Sequence, residues 1–180
     1  MKSEDTRLRD VMNIKTFKSN VFPVQAKLYR FAKTMLHDNE EAEDTVQEAL
    51  LKLWLSRNNL TSYKSIEALA MVVTKNLCLD KLKSSYRKKI IPLTSTANTA
   101  DDATPYRKAE LANTAGILRE LIGQLPEQQR LVIHLRDVEE YSYEEIEQVT
   151  GLSVNNIRVT LSRARRSVRE MYTKINAYGS

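Results

Sequence analysis

An all-α fold, with two small helical domains joined by a flexible linker and a helix-turn-helix in the second, is predicted by three features of this sequence. Glycine and proline are scarce, four of each in 180 residues, while Leu, Ala, Glu, Lys and Arg abound. Strong helix formers with few breakers argue against a sheet. Apolar residues recur at intervals of three and four over two long stretches, and the polar run IPLTSTANTADDAT separates them. Finally, the stretch Tyr141 to Glu170 combines caps, a breaking glycine and a one-sided apolar register. The predicted division is a lead-in at 1–20, a first domain at 21–89, a linker at 90–104, a second domain at 105–173 and a tail at 174–180.

In the first domain Phe22, Val24, Leu28, Phe31, Ala32 and Met35 predict a helix from Val21 to about Leu36. Asp38 is placed to cap a second helix whose first turns are acidic, which suits the positive end of a helix dipole. Its buried stripe is Val46, Ala49, Leu50, Leu53 and Trp54, leaving Asp44, Gln47, Glu48, Leu51 and Leu55 outside. Apolar residues beside an exposed acidic face suggest docking as well as solvation. Residues 56–65 read as a loop, rich in Asn, Thr and Ser. A third helix follows from Ser65 to about Arg87, apolar at Ile66, Leu69, Ala70, Val73 and Leu77, and basic in its distal half.

The linker is too polar to offset its own ordering entropy by burial. Beyond it Leu111, Ala115, Leu118, Leu121, Ile122 and Leu125 predict one helix, irregular near Gly116, and Pro126 starts the next. Ser142 and Glu145 then form a capping box for a short helix, Gly151 ends it, and Ser153 caps another. In this last helix Val154, Ile157, Leu161, Ala164 and Val168 share one face, whereas Asn155, Arg158, Val159, Ser162, Arg163 and Arg166 lie opposite. An α-helix fits the DNA major groove, where Arg pairs with guanine and Asn with adenine. After Tyr172 the chain is expected to fray.

The net charge of +5 permits a polyanionic partner. Its distribution is more informative: Asp38, Glu40, Glu41, Glu43, Asp44 and Glu48 are one block, and Lys75, Lys81, Lys83, Arg87, Lys88 and Lys89 another. Two different partners are expected. The single cysteine, Cys78, excludes an internal disulfide and fits a reducing compartment. Without a membrane-length apolar run or a secretory signal, the expected location is cytoplasmic. His37 and His134 have no ligand-spaced partners, and no glycine-rich phosphate loop or nucleophile motif occurs. No catalytic residue, metal, cofactor or small-molecule substrate is expected.

Several of these segments resemble bacterial sigma factors of the sigma-70 family. The SVNNIRVTLSRAR wording of the last helix is similar to the extracytoplasmic-function branch. Glu147 departs from that pattern, standing where a small residue usually lets the two helices approach; either the packing is looser or the Glu leans out to solvent. DNEEAEDTVQEALLKLW resembles the sigma helix that binds the clamp helices of the largest RNA polymerase subunit, with Asp44, Gln47, Glu48 and Leu51 at matching positions. VTKNLCLDKLKSSYRK resembles the segment reading the minus-ten promoter element, which implies DNA roles for Lys75, Asn76, Asp80, Lys83 and Arg87. The preceding loop of that family holds a flipped base, making Asn58, Asn59, Leu60 and Tyr63 the candidate pocket.

The resemblance further implies region 2-like and region 4-like domains. It assigns minus-thirty-five recognition to Asn155, Arg158, Val159, Ser162, Arg163 and Arg166, and makes an anti-sigma factor a candidate partner. The rival reading is a stand-alone helix-turn-helix regulator acting without polymerase. Such a regulator has no need of the Asp44, Gln47, Glu48 surface.

Overall fold

The computed structural model describes residues 13–62, 65–90 and 114–178, and its regular structure there is helical throughout. Helix α1 spans Ile14–Leu36 and α2 Asn39–Leu55; a 3-10 turn at Arg57–Ser62 leads to α3, Ile66–Ile90. In the second domain α4 spans Thr114–Gly123 and α5 Glu127–Ile133, continued by a π-helical turn at His134–Val138. Helices α6, Tyr143–Thr150, and α7, Val154–Tyr178, complete the chain.

Helix α1 begins seven residues before the predicted start. Asn13 caps it by accepting the Thr16 N–H at 2.9 Å. Phe17 meets Trp54 of α2 edge-on, with ring centroids 5.1 Å apart, so the added turns have a packing partner. Pro23 therefore lies in the helix interior, where its lack of an N–H removes a rung of the backbone ladder. Phe22, expected in the apolar stripe, is exposed instead; Val21, Val24, Leu28, Phe31, Ala32 and Met35 are the buried face. His37 ends the helix in the left-handed region at φ 61°.

The Asp38 cap of α2 is formed, accepting the Glu41 N–H at 2.8 Å. Val46, Ala49 and Leu53 are buried as expected, while Leu50 and Trp54 are half-buried. The predicted loop after α2 is a 3-10 turn in its described part, pinned from below by Leu60. Helix α3 is capped by Ser65, whose hydroxyl accepts the Ala68 N–H at 3.1 Å. Thr74, buried within it, satisfies its hydroxyl on the Ala70 carbonyl at 2.9 Å.

Residues 91–104 of the expected linker, the predicted domain start at Pro105 and Leu111 lie outside the described residues. Gly116 causes no irregularity, because α4 passes through it with the glycine buried. Leu125 lies beyond the end of α4 and is nevertheless buried, while Leu118 of the same expected face is exposed. The expected fraying after Tyr172 is replaced by helix as far as Tyr178.

The two domains pack directly on each other. Their buried side chains form one continuous cluster, with Leu28, Phe31 and Met35 of α1 in the same core as Leu121, Val132 and Leu135. Phe31 meets His134 edge-on at 5.6 Å between centroids. Among the described residues no helix is long and apolar enough to cross a membrane.

Candidate nucleic-acid and docking surfaces

The helix-turn-helix is built by local chemistry. Ser142 accepts the Glu145 N–H at 3.2 Å while the Glu145 carboxylate accepts the Ser142 N–H at 2.7 Å, a complete capping box. Gly151 takes φ 73°, a left-handed conformation that suits a residue without Cβ, and its N–H closes the helix end on the Glu147 carbonyl at 2.8 Å. Glu147 itself is exposed, so its side chain leans out to solvent. Ile146 and Val149 of α6 face Ile157, Leu161 and Ala164 of α7, all buried.

That packing turns Asn155, Arg158, Val159, Ser162, Arg163 and Arg166 outward, and all six are exposed. Val159 is 52% accessible, an apolar group with no protein neighbour covering it. The arginines are held in different ways. Arg166 pairs with Glu170 one turn on at 2.8 Å. Arg158 lies over the Tyr143 ring at 5.2 Å, and Arg136 over the same ring at 5.0 Å. Arg136 also donates to the Tyr141 carbonyl at 2.7 Å, so an anchored cation, an aromatic ring and a candidate base-reading cation stand together. Arg165, on the flank, forks onto Asp137 at 2.9 and 2.6 Å, bonds that raise its pKa. The Tyr143 arrangement went unread in the sequence; an aromatic at the first helical position, with arginines at 136 and 158, is its only trace there.

On the first domain Asp44, Gln47, Glu48 and Leu51 stand together on the exposed face of α2. Leu51 and Leu55 are 56% and 70% accessible. An apolar groove lined by Ile14, Phe17, Val21, Phe22, Leu50 and Trp54 runs beside this face. The surface thus combines carboxylates with exposed apolar side chains, as the sequence predicts.

The basic side of α3 is less open. Asn76, Asp80 and Lys83 are exposed, as is Asn58 in the 3-10 turn. Leu60, however, is 1% accessible and belongs to the core, so it is not a wall of an open base pocket. Its apolar side chain gains more from burial under the turn than from facing a polar base. Tyr63 and the side chains of Asn59 and Arg87 lie outside the described residues. Lys75 is half-buried and donates to the Val149 carbonyl of α6 at 2.9 Å; burial lowers its pKa.

Further charged groups meet at the domain junction. Arg30 of α1 forks onto Glu139 at 2.9 and 2.6 Å. His134 Nε2 lies 3.3 Å from the same carboxylate, close enough for attraction but not aligned as a hydrogen bond. Burial pushes the Glu139 carboxyl up, but His134 and Arg30 outweigh it and hold the group at about 2. At another point of the junction Arg130 contacts the His37 ring and donates to the Gly123 carbonyl at 3.0 Å. Burial pushes the Cys78 thiol up to about 12, leaving it protonated. Among the described residues no group of three or more His, Cys, Asp or Glu side chains could hold a metal ion.

Comparison with known families places both halves of this arrangement. The model of sigma-70 region 2 matches residues 23–88 and that of sigma-70 region 4 matches residues 115–168. The chain belongs to the sigma-70 family. It is of the extracytoplasmic-function type, similar to "ECF RNA polymerase sigma factor SigE" of Mycolicibacterium smegmatis at 26% identity, over 82% of this chain and 58% of the relative's length. It is also similar to "RNA polymerase sigma factor YlaC" of Bacillus subtilis at 25% identity, over 81% and 84% of the two chains. The sigma factor RpoE of Bartonella quintana, solved with the anti-sigma factor NepR, shares the fold at a TM-score of 0.69 and 22% identity, over 89% of this chain and 98% of that one. CnrH, solved with the cytosolic domain of CnrY, shares it at 0.66 and 21% identity, over 93% and 95%. Region 2 of this sigma-70 fold thus carries α1 to α3, and region 4 carries α4 to α7.

Proposed function

We propose that this chain binds core RNA polymerase and directs initiation at particular promoters. The acidic face of α2, Asp44, Gln47, Glu48 and Leu51, is the docking surface for the clamp helices of the largest subunit. Asn58, Asn59, Tyr63, Lys75, Asn76, Asp80, Lys83 and Arg87 engage the minus-ten element. Asn155, Arg158, Val159, Ser162, Arg163 and Arg166 engage the minus-thirty-five element. The chain contributes binding alone, in the cytoplasm, and polymerase supplies the chemistry. Two weak DNA-reading modules tethered to one enzyme raise each other's effective concentration at a correctly spaced promoter. An anti-sigma protein, the kind of partner found with RpoE, is proposed as a further partner.

The observation that carries this reading is the exposed acidic, leucine-bearing face of α2 on a chain that also presents a cationic recognition helix. DNA repels the first surface and attracts the second, so DNA alone cannot be the partner of both. The test is a pull-down of core polymerase with the wild type and with Asp44→Lys, Glu48→Lys, followed by run-off transcription. Wild-type binding lost in the variant, with initiation dependent on the added protein, is expected. Equal binding by the two proteins would remove the docking assignment.

A further inference from the structure

Helix α2 ends at Leu55 with Ser56 as its cap, and the next residue is a cation held in place. The guanidinium carbon of Arg57 lies 4.3 Å from the centre of the Trp54 ring, and its Nη1 donates to the Trp54 carbonyl at 3.1 Å. A ring face and a hydrogen bond together restrain the group. Trp54 is itself steadied, because Phe17 of α1 meets it edge-on at 5.1 Å between centroids.

Closing the helix does not require this arrangement. Lys52 already stands in the last turn of α2, paired with Glu48 at 3.0 Å. The Ser56 hydroxyl and N–H both donate to the Lys52 carbonyl, at 2.8 and 3.1 Å. The bond to Trp54 engages Nη1 alone and leaves the Nε and Nη2 edge, whose parallel donors match the oxygens of a phosphate. Among the described residues no carboxylate pairs with Arg57, whereas Arg30, Arg165 and Arg166 each have one. A guanidinium already held in one orientation loses less freedom on binding than a loose one.

Its position decides the ligand. Arg57 opens the 3-10 turn, Asn58 beside it is exposed, and Leu60 is turned into the core. With its apolar member inside, the turn offers a strand an amide and a cation. A single strand that brings a base to this turn brings that base's flanking phosphates too.

We propose that Arg57 is a phosphate clamp on the single-stranded DNA engaged by this turn, with Trp54 as the residue that positions it. The inference rests on the proposed minus-ten role of the turn. Phosphate is common to every nucleotide, so the contact adds affinity and fixes the strand without reading a base.

The test uses the full chain with oligo(dT) and oligo(dA) of about twelve nucleotides, within the range of single-strand site sizes. In proton–nitrogen NMR spectra the Arg57 Nε–H signal is the one that Arg57→Gln removes, and it is expected to move as oligo(dT) is added. By fluorescence anisotropy, Arg57→Gln should bind both oligonucleotides about tenfold more weakly, the scale of one hydrogen bond to a charged group. The slope of log affinity against log salt should fall by about 0.7, as for one single-strand phosphate. Arg57→Lys keeps the charge and loses the fork; its slope should match the wild type, with affinity between the two. Trp54→Leu should weaken binding in the wild type and add nothing in the Arg57→Gln background, whereas a merely structural loss would appear in both.

A stationary Arg57 signal, or an unchanged salt slope in Arg57→Gln, overturns the clamp. Loss confined to one oligonucleotide would mean a base contact and overturns it as well. A core pull-down runs beside these measurements. Loss of core binding in Arg57→Gln would assign the fork to a polymerase carboxylate, against the clamp. A wild type that fails to bind core defeats the proposed function and leaves the oligonucleotide result standing.

Discussion

The surfaces of the two domains proposed to face DNA differ in how they are made. In the second domain the face on α7 is set by residues within one helix and its neighbour, and all six predicted contacts are exposed together. In the first domain, the face on α3 and its preceding turn depends on distant chain: Lys75 is taken up by a carbonyl 74 residues away, and Leu60 is drawn into the core. A surface specified by local periodicity keeps its pattern in the folded chain. One bordered by another domain is partly spent on that border.

The largest expected effect bears on Leu60. If the turn is core-supported, Leu60→Ala costs about 2 to 5 kcal/mol of stability, measured by urea denaturation. A stable variant that has merely lost minus-ten binding would return Leu60 to the pocket and make the two surfaces alike.

Acid probes the border itself. The folded Glu139 carboxyl titrates near 2 instead of the ordinary 4.5, so its stabilisation is complete above pH 4.5 and fades as pH falls toward 2. The scale is about 1.4 kcal/mol per pKa unit. Wild type should therefore lose more stability than Glu139→Gln between pH 5 and pH 3, with equal slopes speaking against the cross-domain pairing. Smallest is Tyr143→Leu, which removes the ring between Arg136 and Arg158. It should weaken minus-thirty-five binding by about 0.5 to 1 kcal/mol in a gel-shift titration, leaving stability nearly unchanged. No change in affinity would show that Arg158 orients itself.

The same contrast explains what was legible in the sequence. The Ser142–Glu145 box, the Gly151 turn, the Asp38 cap and the exposed faces of α2 and α7 are each decided within a few residues, and each is found where expected. The start of α1 was misread because its first turns are mostly polar outside Ile14 and Phe17, and their stabilising contact, Phe17 on Trp54, spans 37 residues. The Arg30–Glu139 fork spans 109 residues and leaves no periodicity to detect. Glu139 and His134 look like ordinary helix-end residues until α1 is laid beside them.

Gly123 sets a clearance at the domain junction. A Cβ there would come within 2.9 Å of His37 Cε1, so a methyl group at this corner requires the ring to shift. The obstacle is the tip of a ring and not backbone, and a larger residue would first turn the imidazole away from Arg130. The corner therefore behaves as an adjustable stop, whose spacing can be reset by rotation of one side chain.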